Sequence, residues 1–142
     1  MHDLHNNIRV VPVVSPVAVG TTGTGQTGLV IDRQGYGGVE FIVAYGSITA
    51  TSAVYTVTVK EGDVTGTMTS VADADLVGTE ALASLGAATR TDGTGDKVTY
   101  RVGYRGKKRY VQANIKSTAT AGTLVAISAI LHSPGVGPTS NP

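Results

Sequence analysis

The sequence predicts an all-β protein, and three observations carry the prediction. Hydrophobic residues make up 41% of the 142 residues, yet there is one Phe and no Trp, so any core is built from Val, Ala, Ile, Leu and Tyr. The chain holds 19 Gly and only 15% charged residues, which suits short strands joined by many turns and suits a helical bundle poorly. Short Val/Ile/Thr/Tyr runs recur along the chain, punctuated by glycine, at the spacing expected of an all-β domain. At 14.4 kDa one packed core is the default. Residues 1–142 therefore read as a single domain, with no linker and no repeat of fixed period.

Seven strands are predicted, at residues 8–14, 29–32, 39–45, 54–60, 97–104, 109–116 and 124–131. In the first run Pro12 and Pro16 lack a ladder donor, so the run belongs at a sheet edge or in an extended arm lying over a surface. In the fourth run Tyr55, Val57 and Val59 alternate with Thr56, Thr58 and Lys60, a half-buried pattern. The fifth alternates more clearly, with Val98, Tyr100, Val102 and Tyr104 on one face and Lys97, Thr99, Arg101 and Arg105 on the other. The last run, Leu124 to Leu131, is apolar on both faces, which places it centrally between two layers or against another subunit. An eighth strand is sought near residues 81–87. Residues 73–85 carry early acids and Leu76, Leu82 and Leu85 near helical spacing, but Gly78 weakens a helix by about 1 kcal/mol relative to Ala, leaving a short helix or an irregular insertion. Residues 1–7 read as a polar N-terminal arm, and residues 133–142, with Pro134, Pro138 and Pro142, as a C-terminal tail unsuited to a regular ladder.

Composition excludes several chemistries. With no Cys there is no disulfide scaffold, thiol nucleophile or thiolate metal site. A net charge of +1 argues against a globally basic nucleic-acid binder. No stretch approaches the roughly 20 apolar residues of a membrane helix, and the N-terminus lacks a basic region followed by an apolar one, so synthesis in a cytoplasm without a secretory signal is expected. The segment Gly23-Thr24-Gly25-Gln26-Thr27-Gly28 spells a dinucleotide loop, but a strand and not a helix is predicted after it, so a Gly/Thr loop is the better reading. His2, Asp3 and His5 would need His132 from the far terminus to make a zinc site. The pairs Asp73/Asp75 and Glu61/Asp63 read as ordinary turn acids, and no Ser lies in a G-x-S-x-G turn. No catalytic residue, cofactor or metal is predicted, and an enzyme is not expected.

Charge is unevenly distributed. Seven acids against the single base Arg90 lie between Glu61 and Asp96, and seven bases with no acid lie between Lys97 and Lys116. A predicted hairpin tip, Tyr104-Arg105-Gly106-Lys107-Lys108-Arg109-Tyr110, concentrates four positive charges beside two tyrosines. Such a tip docks on an acidic protein surface or, less in keeping with the near-neutral net charge, on phosphates; or else it is a turn neutralised by acidic loops of the same or an adjacent subunit.

Four phrases resemble one family: Asp3-Leu4-His5-Asn6-Asn7-Ile8; Ile31-Asp32-Arg33-Gln34-Gly35-Tyr36 with Val39-Glu40-Phe41; Asp73-Ala74-Asp75-Leu76-Val77-Gly78-Thr79-Glu80; and Gly103-Tyr104-Arg105-Gly106-Lys107-Lys108-Arg109-Tyr110-Val111. Together, from residue 3 to about 131, they resemble the head decoration, or cement, proteins of tailed bacteriophages. The resemblance implies an antiparallel β-sandwich of jelly-roll type that binds the outside of the assembled capsid. There it would bridge major capsid proteins and reinforce the shell as a homodimer or, second, a trimer. No nucleic-acid or membrane partner is implied.

Within that reading His2, Leu4, His5, Ile8 and Arg9 are candidate capsid contacts, on an arm from residue 2 to 14 whose ordering a partner would offset. Arg105, Lys107, Lys108 and Arg109 are candidate partners for capsid acids. The alternative is a receptor- or glycan-binding β-sandwich on the virion, with Tyr36 and Tyr110 as stacking platforms.

Overall fold

Two antiparallel sheets face each other across a core of Val, Ala, Ile, Leu, Phe and Tyr. The structure is a computed structural model and describes residues 3–19, 25–48, 53–86, 97–118 and 123–135. Its strands are β1 (Ile8–Ala18), β2 (Gln26–Thr27), β3 (Ile31–Asp32), β4 (Tyr36–Tyr45), β5 (Tyr55–Val64), β6 (Thr67–Ser70), β7 (Leu76–Val77), β8 (Thr99–Tyr104), β9 (Tyr110–Ser117) and β10 (Leu124–Pro134). A 3-10 turn at Asp73–Asp75 and a single helical turn, α1 (Glu80–Ala83), complete the elements. The first sheet runs β1-β10-β4-β8-β7 and the second β2-β9-β5-β6, with β3 also on β9. With the two-residue β7 set aside and β2 and β3 taken as halves of one broken strand, the two four-strand paths β1-β10-β4-β8 and β2-β9-β5-β6 have jelly-roll order, and the predicted fold class holds.

Alternation builds the core as expected. Tyr55, Val57 and Val59 of β5 are buried while Thr56, Thr58 and Lys60 are half-exposed. They pair with Ser117, Ile115 and Ala113, all buried residues of β9. In the first sheet Val39, Phe41, Val43 and Tyr45 of β4 lie opposite Leu131, Ala129, Ile127 and Val125 of β10, all buried. Each large side chain removed from water here contributes roughly 1.5–3 kcal/mol.

β10 lies within the first sheet between β1 and β4 and not between two layers: Val125, Ile127, Ala129 and Leu131 face the core, while Leu124 on the other face is exposed and Ala126, Ser128 and Ile130 are half-buried. β1 is the sheet edge that its prolines require. Pro12 pairs with Ser128 just before one irregularity, and Pro16 falls within a second, between Val14 and Val17. Residues 8–14 therefore need no partner to become ordered, because β10 already supplies one. The described part of the arm, residues 3–7, is not extended. Asp3 accepts from the His5 amide at 3.0 Å and from the Asn6 side chain, the Asn7 side chain donates to the Asp3 carbonyl, and the Asn7 amide donates to the Leu4 carbonyl at 3.1 Å.

Other expectations need correction. The eighth strand is β6, which pairs Thr69 and Ser70 with Glu61 and Lys60; it is not at residues 81–87. There Thr79 caps the one-turn helix by accepting from the Leu82 amide at 3.2 Å. The helix, with Ser84 and Leu85 after it, lies along the free half of β5. Ser84 Oγ accepts from the Val57 amide at 2.8 Å, Glu80 accepts from the Val59 amide, and Leu85 exchanges two backbone bonds with Tyr55. Side chains thus complete the ladder where β6 does not reach, blunting the sheet edge. Ser133 and Pro134 belong to β10 and not to a tail: Pro134 pairs with Tyr36 as the final residue of the strand, where a missing donor does no harm. The predicted strand at residues 29–32 is shorter, because after Gly28 the chain leaves the β9 ladder and the Leu29 amide donates instead to the Val13 carbonyl of β1 at 2.9 Å. A Cβ at Gly28 would strike the Ala113 carbonyl and lie 2.5 Å from Val13 Cγ1, so only glycine fits.

Candidate functional site

The basic tip between β8 and β9 is built on one side chain that local pattern did not single out, Arg33. Its guanidinium donates from Nη2 to the Gly106 carbonyl and from Nε to the Lys108 carbonyl, both at 2.5 Å, and from Nη1 to the Tyr36 carbonyl at 3.2 Å. The same group lies over the Tyr104 ring, 5.3 Å from its centroid. Tyr104 is buried; its hydroxyl donates to Glu61 and accepts from the Lys108 amide at 3.1 Å. Burial, reinforced by the Glu61 carboxylate, pushes the Tyr104 phenol well above its ordinary value. Gly106 rests on the ring, where a Cβ would sit 2.5 Å from Tyr104 Cζ.

This knot absorbs most of the tip's charge. Arg109 grips Asp32 with two bonds, Nε to Oδ1 at 3.0 Å and Nη2 to Oδ2 at 2.7 Å, and this holds the Asp32 carboxyl below its ordinary 3.8. Lys108 pairs with Asp63, chiefly through a hydrogen bond that raises the ammonium's pKa. Arg105 donates to the Ala74 carbonyl at 3.1 and 3.2 Å, and its amide to the Asp75 carbonyl at 2.9 Å. Among the described residues Lys107 alone of the four extends into solvent without a hydrogen bond or ion pair. Of the acids expected as ordinary turn residues, Asp63 and Glu61 thus reach the tip through their carboxylates, on Lys108 and the Tyr104 hydroxyl, and Asp75 through its backbone carbonyl alone.

At the same end of the first sheet, on its β1 side, the described N-terminal segment meets the end of β10. Asp3, Leu4, Asn7 and Ile8 line a shallow groove of about 440 Å³ with His132, Ser133 and Pro134. His132 approaches the N-terminal segment as a shared site would require, but no group of three His, Asp or Glu that could hold a metal occurs among the described residues. Leu4 is 68% exposed and His5 and Arg9 are exposed, while Ile8 is half-buried opposite His132. His2 lies outside the described residues, as do Gly23, Thr24 and residues 136–142. Of the two tyrosine platforms, Tyr36 is half-buried, and Tyr110 has the Arg109 guanidinium over its ring at 5.0 Å.

The outer face of the first sheet is apolar over much of its width. Ala126, Ser128 and Ile130 of β10 flank Glu40, Ile42 and Ala44 of β4, and Val10 of β1 extends the row beyond Ile130. Toward β7 the face deepens into an open groove of about 760 Å³ bounded by Ile42, Thr99, Arg101, Val77 and Leu82.

No family model matches the chain, and no curated protein matches it. Among solved structures it is similar to the SPBc2 prophage-derived protein YomS, with 14% identity over 89% of this chain and 94% of that one, at a TM-score of 0.49. It is also similar to the CBM22-1 xylan-binding domain of Paenibacillus barcinonensis Xyn10C, with 14% identity, coverage of 90% and 88%, and a TM-score of 0.42. A third is the CBM22-1-GH10 portion of Clostridium thermocellum xylanase 10B, with 10% identity and a TM-score of 0.44; 96% of this chain spans 28% of that one. No described helix is long and apolar enough to cross a membrane.

Proposed function

We propose that the protein is a decoration subunit of a tailed-phage head, bound to the outer surface of the capsid where it bridges major capsid proteins. The reading starts from the four phrases that resemble decoration proteins, and the jelly-roll strand order agrees with it. The observation that carries it is the edge of the first sheet. β1 leaves Val10 45% exposed, and the turn before it leaves Leu4 68% exposed, beside the charged Arg9 and the polar His5. Exposed apolar groups on an edge strand suit a protein partner better than a small molecule. Many copies on one shell make modest contacts sufficient. Lys107 is the tip's candidate contact, since Arg105, Lys108 and Arg109 are held by the chain itself.

The test is co-sedimentation of purified protein with expanded heads that lack it, with unexpanded heads as control. Saturable binding to expanded heads is expected. Deleting residues 1–7 weakens it with the fold intact, and Lys107→Glu weakens it in a salt-dependent way. A folded sample that binds neither form of head overturns the proposal and brings the receptor- or glycan-binding reading forward.

A further inference from the structure

Among the described residues, Glu40 and Arg101 are the two Asp, Glu, Lys or Arg side chains on the outward-facing positions of the β10-β4-β8 ladder, and they are poorly matched within the chain. Glu40 lies opposite Gly103, and its carboxylate spreads over the bare glycine, 2.5 Å from where a Cβ would stand. Its side chain keeps only 24% of its exposure, yet its one partner among the described residues is Arg101, at 3.7 Å. Arg101 itself is 78% exposed and so holds little of that carboxylate's lost hydration. Beside the pair, Leu82 stands 66% exposed and Val77 53% exposed on one wall of the groove, while Ile42 and the small Thr99 form its floor. A knob and a hollow therefore sit side by side on one surface, with one acid and one base between them.

A surface that carries both halves of a contact fits a copy of itself turned through a two-fold rotation. We infer that this face is an isologous interface between two copies of the chain: Leu82 of each enters the groove of the other, and Arg101 of each meets Glu40 of the other. The exchange supplies the half-buried carboxylate with a closer cation, covers Leu82 and Val77, and accounts for the apolar outer side of β10. It depends on this face alone and stands or falls independently of capsid binding.

Light scattering of the free protein over a concentration series, with no phage component present, tests it. The wild type is expected to be a dimer at micromolar concentration, and Leu82→Asp a monomer. Arg101→Glu and Glu40→Lys, each alone, place like charges across the two-fold axis and are expected to be monomers. Mixed one to one, they form a heterodimer, because every cross-axis contact is again between opposite charges. That rescue separates a second copy from any other occupant, and from a variant that fails to fold. A monomeric wild type, single variants that remain dimeric, or a mixture that stays monomeric would each overturn the inference.

Discussion

Arg33 stacks on Tyr104, and the two side chains hold the β8–β9 turn between them, Arg33 through the carbonyls of Gly106 and Lys108 and Tyr104 through the Lys108 amide. The residues are far apart in sequence and on different sheets, so their contact also ties β3 to the end of β8. A guanidinium is suited to this position because its fork of donors serves three backbone carbonyls, two in the turn and one at the start of β4, while its flat face covers the ring.

Arg33→Lys is expected to lower stability by about 2 kcal/mol, since one ammonium cannot reach all of these carbonyls and hydrogen bonds from charged donors are each worth about 1.5–3 kcal/mol. Urea denaturation measures it. A loss within about 0.5 kcal/mol, the range of an ordinary surface substitution, would mean that the carbonyls are equally well served by water.

Gly106→Ala is expected to cost about 1–3 kcal/mol, the range for forcing an extra carbon into a packed site. The new methyl meets the Tyr104 ring, which is fixed by its bonds to Glu61 and Lys108 and has no room to withdraw. Gly66→Ala is the control, because nothing lies within 4 Å of a Cβ there. Equal thermal midpoints for the two variants would refute the packing argument.

Stability is expected to fall under alkaline conditions. Burial raises both the Tyr104 and Tyr45 phenols above the ordinary 10.0, so the native state keeps protons that the unfolded chain releases. The contribution is complete below about pH 10 and is lost as the pH climbs through the raised native values. Tyr104→Phe should be less stable than the wild type at pH 8 by about 1 kcal/mol, through its lost hydroxyl bonds, with the gap narrowing above pH 10. Denaturation midpoints across that range decide the matter, and parallel pH profiles would count against it.

Where one face of a strand is packed and the other wet, period-two alternation in the sequence reads directly onto the structure, as in Tyr55 to Lys60 and Val98 to Tyr104. The prolines of β1 likewise announced an edge. β6 was hidden because Thr67, Met68, Thr69 and Ser70 show no apolar alternation, and only Met68 is even half-buried. The charge of the tip was plain in sequence, and pairing with acidic loops of the same chain was one expected outcome, but the residues that do the pairing were not legible. Asp32, Asp63 and Ala74 reach Arg109, Lys108 and Arg105 only through the sheet order, which no local pattern encodes. Arg33 stood within one of the family-like phrases, yet its role rests on carbonyls more than 70 residues away.

The placement of β10 between β1 and β4 constrains how the chain acquires its structure. Ile8 finds its partner in His132, and Val39 finds its own in Leu131, so two early strands wait on the last one. During synthesis β1 and β4 leave the ribosome with no strand between them. Closure of the first sheet therefore waits until β10 has been made. With so many pairings between distant residues, refolding on the millisecond-to-second scale is expected, slow beside a helical protein of this size. Until β10 inserts, the nascent chain shows the apolar strips of β1 and β4 to its surroundings, and this interval is when it is most exposed to aggregation.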